Sequence, residues 1–294
     1  MRVFVTGASG WVGTGVTREL IAAGHAVVGL VRSDAAEGRV RANGATPLRG
    51  DLNDLPTLRQ GTKDADAVIH CGFIHDFSNY AASVETDQRA IETIGDVLAG
   101  SNRPLLVTAG LGVKRTGPLL SETDEVDISR VPRLSEPAAL ALVDKGVRVG
   151  IVRLPPTVHG SGDHGFIASL IGIARDRGAA AYVGEGTNQW SAVHRDDAAR
   201  LYLLALEKGR AGERYHAIGD QGVPFRQIAE VIGRRLGVPV RSVNEAGIPD
   251  AFGWMAPFAR FDVPAASQLT RDRLGWAPTR PGLLHDLEHG TYFD

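Results

Sequence analysis

Three glycines, Gly7, Gly10 and Gly13, stand in TGASGWVG directly after Arg2–Thr6, five residues suited to a strand. Directly after them Val12, Val16, Leu20 and Ile21 recur at helical spacing. Strand, Gly-rich turn and helix in that order make a device for holding a pyrophosphate. Gly7 permits the tight turn, Gly10 removes the Cβ that would block a phosphate, and Gly13 lets the helix pack closely on the strand. The helix start adds free backbone N–H groups and the positive end of the peptide dipoles. A glycine-rich turn beside a strand often serves only to turn the chain. Here it heads a βαβ unit on the right elements, so dinucleotide binding is expected, with Thr6, Ser9, Trp11 and Val12 completing the cradle.

The second strand, Ala26–Val31, ends at Arg32, where a dinucleotide fold places the group that reads the adenosine ribose. An acidic side chain would accept from a 2′-OH, whereas a guanidinium matches a 2′-phosphate with paired donors. NADP(H) is therefore the expected cofactor, with Ser33 or Arg39 available to assist. Asp34 is the residue that would favour NAD(H), which stays possible, and a solvated strand-end arginine is the plain alternative. Ligands of open parallel sheets sit at the carboxyl ends of strands. That rule places Asp51 on the adenine amino group and Leu52 on the ring, though Asp51 also suits a helix cap. It places Cys71, Gly72 and Phe73 along the ribose and pyrophosphate. His70, inside an apolar strand, reads as a satisfied core histidine. The aperiodic stretch Phe73–Tyr80 carries His75, Asp76 and Tyr80 at the same edge, where a loop can act.

The elements that must position these groups follow from hydrophobic runs and Gly/Pro punctuation. Strands are expected within Thr46–Asp54, ending in Asp51, and at Ala65–Phe73, Pro104–Gly110 and Val147–Gly160, the last leaving the sheet at its Pro-Pro. Helices are expected at Ala82–Leu98 and Val131–Gly146. Beyond Gly160 come a helix at Phe166–Arg175, a strand around Tyr182, a helix capped by Asp196 or Asp197, a strand at Tyr215–Ile218 and an amphipathic helix from Pro224 to Gly237. The fold class is α/β, a doubly wound Rossmann-type parallel sheet (1–155) with a smaller substrate-binding part (156–294) that returns some segments to the sheet. The loop 248–263, rich in Trp, Phe and Pro, suits either an apolar pocket wall or a packed connector.

The 294 residues carry 43% hydrophobic and 22% charged side chains and a net charge of −2. That balance gives no electrostatic case for nucleic acid or an anionic membrane. No apolar run approaches the ~18 residues of a membrane span, and a cytoplasmic setting is expected. The single cysteine excludes an intrachain disulfide, and the nine histidines show no metal-ligand spacing.

TGASGWVG, GDLNDL, VIHCG, RLPPTVHG and AVHRDDAARLYLLALE, in that order, resemble the extended and atypical short-chain dehydrogenase/reductases of the NAD(P)-dependent epimerase/dehydratase superfamily. The resemblance spans nearly the whole chain. It implies a Rossmann sheet, a small C-terminal substrate domain, cofactor contacts from Leu154, Pro155 and Val158, and a homodimer formed through the helices at 82–98 and 134–143. The superfamily's Tyr-x-x-x-Lys pair is missing, because none of the five tyrosines has a lysine four residues on. Alignment puts Pro132 at the tyrosine and Glu136 at the lysine, Thr108 nearest the upstream serine, and Asp87 at the usual Asn. Three readings follow. The first is an NADPH-dependent reductase of a carbonyl or related unsaturated group, taking its proton from water or from Ser135, Arg133, His75, Tyr80 or His164. In that reading Glu136 and Asp87 could pair to orient a water. The second is an epimerase or dehydratase, and the third a non-catalytic NADP(H) sensor. Phe73, Ile74, Phe77, Leu111, Trp190, Trp254, Met255 and Phe258 hint at a mostly apolar small-molecule substrate.

Overall fold

Alternation in the first strand sorts the whole molecule: Val3 and Val5 face one apolar layer and Phe4 the other. The computed structural model describes residues 1–129 and 132–294. Its first half runs β1 (Arg2–Thr6), α1 (Trp11–Ala22), β2 (Ala26–Val31), α2 (Asp34–Ala42), β3 (Thr46–Arg49), α3 (Leu55–Lys63) and β4 (Ala67–His70). It continues with α4 (Tyr80–Leu98), β5 (Pro104–Gly110), α5 (Ser135–Leu140) and β6 (Arg148–Leu154). Then come β7 (Thr157–His159), α6 (Phe166–Arg177), β8 (Ala180–Val183), β9 (Gln189–His194), α7 (Arg195–Lys208), β10 (Glu213–His216) and β11 (Asp220–Pro224). The chain ends through α8 (Phe225–Leu236), β12 (Val240–Val243), α9 (Ile248–Phe252), α10 (Gln268–Leu274) and α11 (Leu283–His289).

Seven parallel strands form one sheet in the order β10-β6-β5-β4-β1-β2-β3, and the winding reverses between β1 and β4. α1, α2 and α7 cover one face, packing Val16, Leu20, Val40, Leu201 and Tyr202 onto it. α3, α4 and α5 cover the other, through Leu58, Ile91, Ile94, Leu98 and Leu142. This is the doubly wound Rossmann arrangement. A three-stranded sheet, β11-β9-β7, and the pair β12-β8 belong to a third apolar cluster around Trp190, Phe225 and Phe252.

Several boundaries differ from the sequence expectation, each for a local reason. β3 stops at Arg49 because Gly50 takes φ +159° and the Asp51 carboxylate accepts the Asn53 N–H at 2.7 Å, bending the chain. Asp54, not Asp51, caps α3, accepting from Thr57 N at 3.2 Å. The expected strand 147–160 breaks at Pro155-Pro156, so β7 pairs with β9 in the second sheet instead. The helix expected over 131–146 is helical only over Ser135–Leu140, after which the chain tightens into i→i+3 turns to Gly146. Its first residue, Val131, lies outside the described residues. α7 is capped by His194, whose Nδ1 accepts the Asp196 N–H at 3.1 Å. Asp197 instead accepts the Thr279 and Arg280 N–H groups, both at 2.9 Å.

Candidate active site

The reversal between β1 and β4 opens a crevice at the carboxyl ends of the strands, where such sheets bind ligands. The turn from β1 to α1 lies in it. Gly7 adopts φ +67° and packs so closely that a Cβ would sit 2.7 Å from Gly72 N. A Cβ on Gly13 would come 2.0 Å from the Gly7 carbonyl oxygen. Gly10 is different, since its only near neighbour would be that same oxygen at 3.2 Å and the residue faces solvent. α1 begins at Trp11 with no side-chain cap and no acid in its first turn. The N–H groups of Trp11, Val12 and Gly13 thus open onto the space that Gly10 leaves clear, as a pyrophosphate requires. Ser9 is half-buried in the turn. Trp11 latches the turn to the strand after the Pro-Pro, donating from Nε1 to the Val158 carbonyl at 2.7 Å, and carries the Arg195 guanidinium 4.2 Å above its ring.

At the end of β2, Arg32 is exposed, and among the described residues no group bonds or pairs with it. Ser33 caps α2 through Ala36 N at 3.2 Å, and the Asp34 carboxylate is held 2.7 Å from Arg49. The acid that would read a ribose hydroxyl thus has Arg49 as a partner in an exposed ion pair, while no described residue engages the guanidinium beside it. Leu52 is buried and Asp51 is exposed, with its carboxylate engaged on Asn53.

Past the switch point, the ends of β4 and β5 carry two buried clusters. In one, Thr108 Oγ1 lies 2.7 Å from the Tyr202 hydroxyl, with Cys71 beside them, its thiol pushed up by burial to about 11. The Thr108 hydroxyl is thereby spent inside. In the other, His70 Nδ1 lies 2.8 Å from Thr6 Oγ1 and its Nε2 3.0 Å from Asp87 Oδ1. The Ser135 hydroxyl donates to Asp87 Oδ2 at 2.5 Å, and Arg133 Nε donates to Ser135 Oγ at 2.7 Å. Burial pushes the Asp87 carboxyl up, but His70, Arg133 and Ser135 outweigh it and hold its pKa below the ordinary value. Arg133 also donates from Nη2 to the Thr108 carbonyl at 3.2 Å and stacks 4.1 Å over Phe73. Among the described residues nothing bonds its Nη1.

Glu136 does not pair with Asp87. It is buried and accepts from Arg153 at 2.8 and 2.7 Å and from Arg214 at 2.6 Å, beneath the sheet edge. Ser135 is likewise fully buried. Tyr80 and His75 remain at the crevice. Burial raises the Tyr80 phenol, with Arg133 pulling it down, so it stays protonated at neutral pH. His75 has an exposed edge, yet crowding by its neighbours lowers its pKa and the charge of Arg133 lowers it further. Their rings join a run of aromatics across the mouth. Phe77 stacks on Trp254 at 5.8 Å and meets Phe258 at 5.3 Å, and Phe258 meets Phe166 at 4.6 Å. Trp190, Met255 and Leu111 are buried in the core rather than lining this mouth.

Residues 7–155 match the NAD(P)H-binding family, and residues 136–218 the NAD dependent epimerase/dehydratase family. The chain is also 48% identical to an uncharacterized protein of Schizosaccharomyces pombe, with 100% of each covered. It belongs to the NAD(P)H-binding epimerase/dehydratase family. A further relative is the 4-hydroxy-2-methyl-3-oxo-4-farnesyl-3,4-dihydroquinoline-1-oxide ketoreductase of Stigmatella aurantiaca, 28% identical over 83% of this chain and 76% of its own. The fold matches that of DesIV, a dTDP-glucose 4,6-dehydratase from Streptomyces venezuelae, with TM-score 0.79 at 21% identity over 99% and 95% of the two chains. NAD(P)H binding by this family fits the open Gly10 cradle and the uncapped α1 terminus. No helix among the described residues is long and apolar enough to cross a membrane, and none of their His, Cys, Asp and Glu side chains group as a metal site. His70 is the satisfied core histidine that the sequence suggests, while Tyr202, buried behind Thr108, and Arg195, over Trp11, are not singled out by the sequence. The signal for His70 is that an imidazole inside an apolar strand needs partners for both nitrogens.

Proposed function

We propose that this protein is an NADPH-dependent reductase acting on the carbonyl, or a related unsaturated group, of a small and mostly apolar molecule. The observation that carries the reading is Arg133, held at the crevice edge of β5 over Phe73, a guanidinium that among the described residues bonds no carboxylate and has no partner for Nη1. Bound NADPH supplies the hydride. Arg133 polarises the substrate oxygen and stabilises the charge that develops on it. The protonated Tyr80 phenol, or a water beside it, holds the proton that this oxygen needs. The rings of Phe73, Phe77, Phe166 and Trp254 exclude water and suit an apolar substrate. The Stigmatella relative, by its name a ketoreductase of a farnesylated quinoline, agrees with that class. An epimerase or dehydratase needs a base, and the groups here favour a reductase: Tyr80 is held protonated and the Thr108 hydroxyl is engaged. NADPH is preferred over NADH because Arg32 is free while Asp34 is paired with Arg49. A cytoplasmic homodimer built through α4 and residues 134–143 belongs to the same reading.

The test is calorimetric titration with NADPH and NADH, followed by a panel of ketones, aldehydes and enones read as loss of reduced-cofactor absorbance. Tighter NADPH binding with turnover of any carbonyl supports the proposal. Tight binding with no turnover across the panel would sink it in favour of a sensor. Failure to bind either dinucleotide would remove the cradle itself.

A further inference from the structure

The buried chain behind Arg133 has a determinate direction from His70 onward. Thr6 Oγ1 accepts the Gly72 N–H at 3.1 Å and lies 2.8 Å from His70 Nδ1. A carboxylate only accepts, so His70 Nε2–H donates to Asp87 Oδ1 at 3.0 Å. The remaining Asp87 oxygen takes the Ser135 proton, which leaves Ser135 only lone pairs to offer. One of these accepts Arg133 Nε–H. Thr6, His70, Asp87 and Ser135 are at most 1% exposed, so water cannot substitute for any link.

We infer that Ser135 and Asp87 are positioning residues for the Arg133 guanidinium rather than an acid and a water-orienting base. Ser135 cannot give its proton to substrate, because it is committed to Asp87 and shielded from the crevice. Asp87 cannot orient a water, because it is 0% exposed and each oxygen is bonded within the buried chain. Together they hold the guanidinium at its Nε edge, and among the described residues nothing accepts from Nη1. Placing the carboxylate one hydroxyl back also matters. An acid bonded directly to Arg133 would occupy a donor edge and cancel its charge where substrate oxygen must sit. The inference rests on the reading of Arg133 as the group that meets that oxygen.

The test follows the Arg133 Nε–H signal by nitrogen-15 NMR, assigned by its loss in Arg133→Lys, together with steady-state kinetics. In Ser135→Ala, and in the near-isosteric Ser135→Cys should alanine fail to fold, Nε–H exchange with water should quicken at least ~10-fold, as expected when a buried hydrogen bond is lost. NADPH affinity should stay within about 2-fold, since the cradle is untouched. The kcat should fall roughly 10–100-fold, the usual cost of a displaced catalytic group, with KM nearly constant. Ser135→Thr should restore most of the rate. In an Arg133→Ala background, Ser135→Ala should cost nothing further, because a residue acting through another is non-additive with it. An Nε–H signal that survives Ser135→Ala and Ser135→Cys would overturn the inference, as would a full additional loss in the double variant. Undiminished activity in Arg133→Ala would instead sink the functional reading while the exchange measurement still judged the positioning.

Discussion

Replacing Glu136 with Gln separates two meanings of its position. By alignment it stands where the superfamily keeps its catalytic lysine, yet it is 2% exposed and accepts three charge-assisted hydrogen bonds, two from Arg153 and one from Arg214. Arg153 is itself 0% exposed, so removing the carboxylate charge leaves a buried guanidinium without its counter-ion. Such a break costs about 3–5 kcal/mol. Arg153 keeps the carbonyls of Asp124 at 2.8 Å and Ser121 at 3.4 Å, and Arg214 can reach water, which argues for the lower end. The amide also turns an N–H group toward donors that have nothing to accept it. The expected loss is therefore ~3 kcal/mol, or about 5 °C in Tm for a chain of 294 residues. The assay is urea unfolding with calorimetry, alongside carbonyl reduction well below the transition. Stability should fall and kcat should hold within about 2-fold, because Glu136 touches nothing at the crevice. Intact stability with a collapsed kcat would refute the reasoning and return Glu136 to the chemistry.

Arg32→Asp should shift the NADPH-to-NADH affinity ratio toward NADH by about 10-fold, a modest figure because the guanidinium is exposed and its bonds to a phosphate are screened. An unchanged ratio by titration would remove Arg32 from the phosphate site. Burial holds the His216 pKa down at about 4, with the Arg153 charge adding to that and Glu122 and Glu136 opposing it. Its folded value lies below the unfolded ~6.5, so the unfolded chain binds the extra proton between those limits. Stability is full above pH ~6.5 and falls by about 1.4 kcal/mol per unit as pH drops toward 4 from this group. His216→Gln should flatten that slope in urea midpoints, and an unaltered slope would assign the acid sensitivity elsewhere.

Much of the frame was legible because it is written in local chemistry. β1, β2 and β5 are apolar runs bounded by Gly, Pro or a charged residue, and they occur where expected, with α8 between Pro224 and Gly237. The cradle was legible for the same reason, since three glycines at fixed spacing state a backbone requirement. What failed was non-local or without a code. A histidine cap on α7 has no sequence signature, and the Asp196-Asp197 pair beside it is a stronger decoy. The shortening of α5 depends on its packing against α4, which periodicity does not contain. The links behind Arg133 join residues 64, 17 and 48 positions apart, so each looked like an isolated polar residue with several readings.

The lost Tyr-x-x-x-Lys pair is accordingly a rebuilt corner rather than a gap. A lysine at position 136 would lie against two guanidinium groups, Arg153 and Arg214, where its charge would be repelled and its burial uncompensated. Once that position turns inward to close an ion cluster, no cation remains there to lower a phenol's pKa at position 132, where proline stands instead. The positive charge reappears one residue later. Arg133 reaches the crevice from the segment after Pro132, braced by Ser135 on one side and the Thr108 carbonyl on the other. A guanidinium stays protonated through neutral pH, so it can stabilise an oxyanion but is a poor proton donor. In the proposed reductase, charge stabilisation and proton supply are thus divided, the first at Arg133 and the second at Tyr80 or solvent. Such a division predicts a rate that Tyr80→Phe lowers far less than Arg133→Ala does.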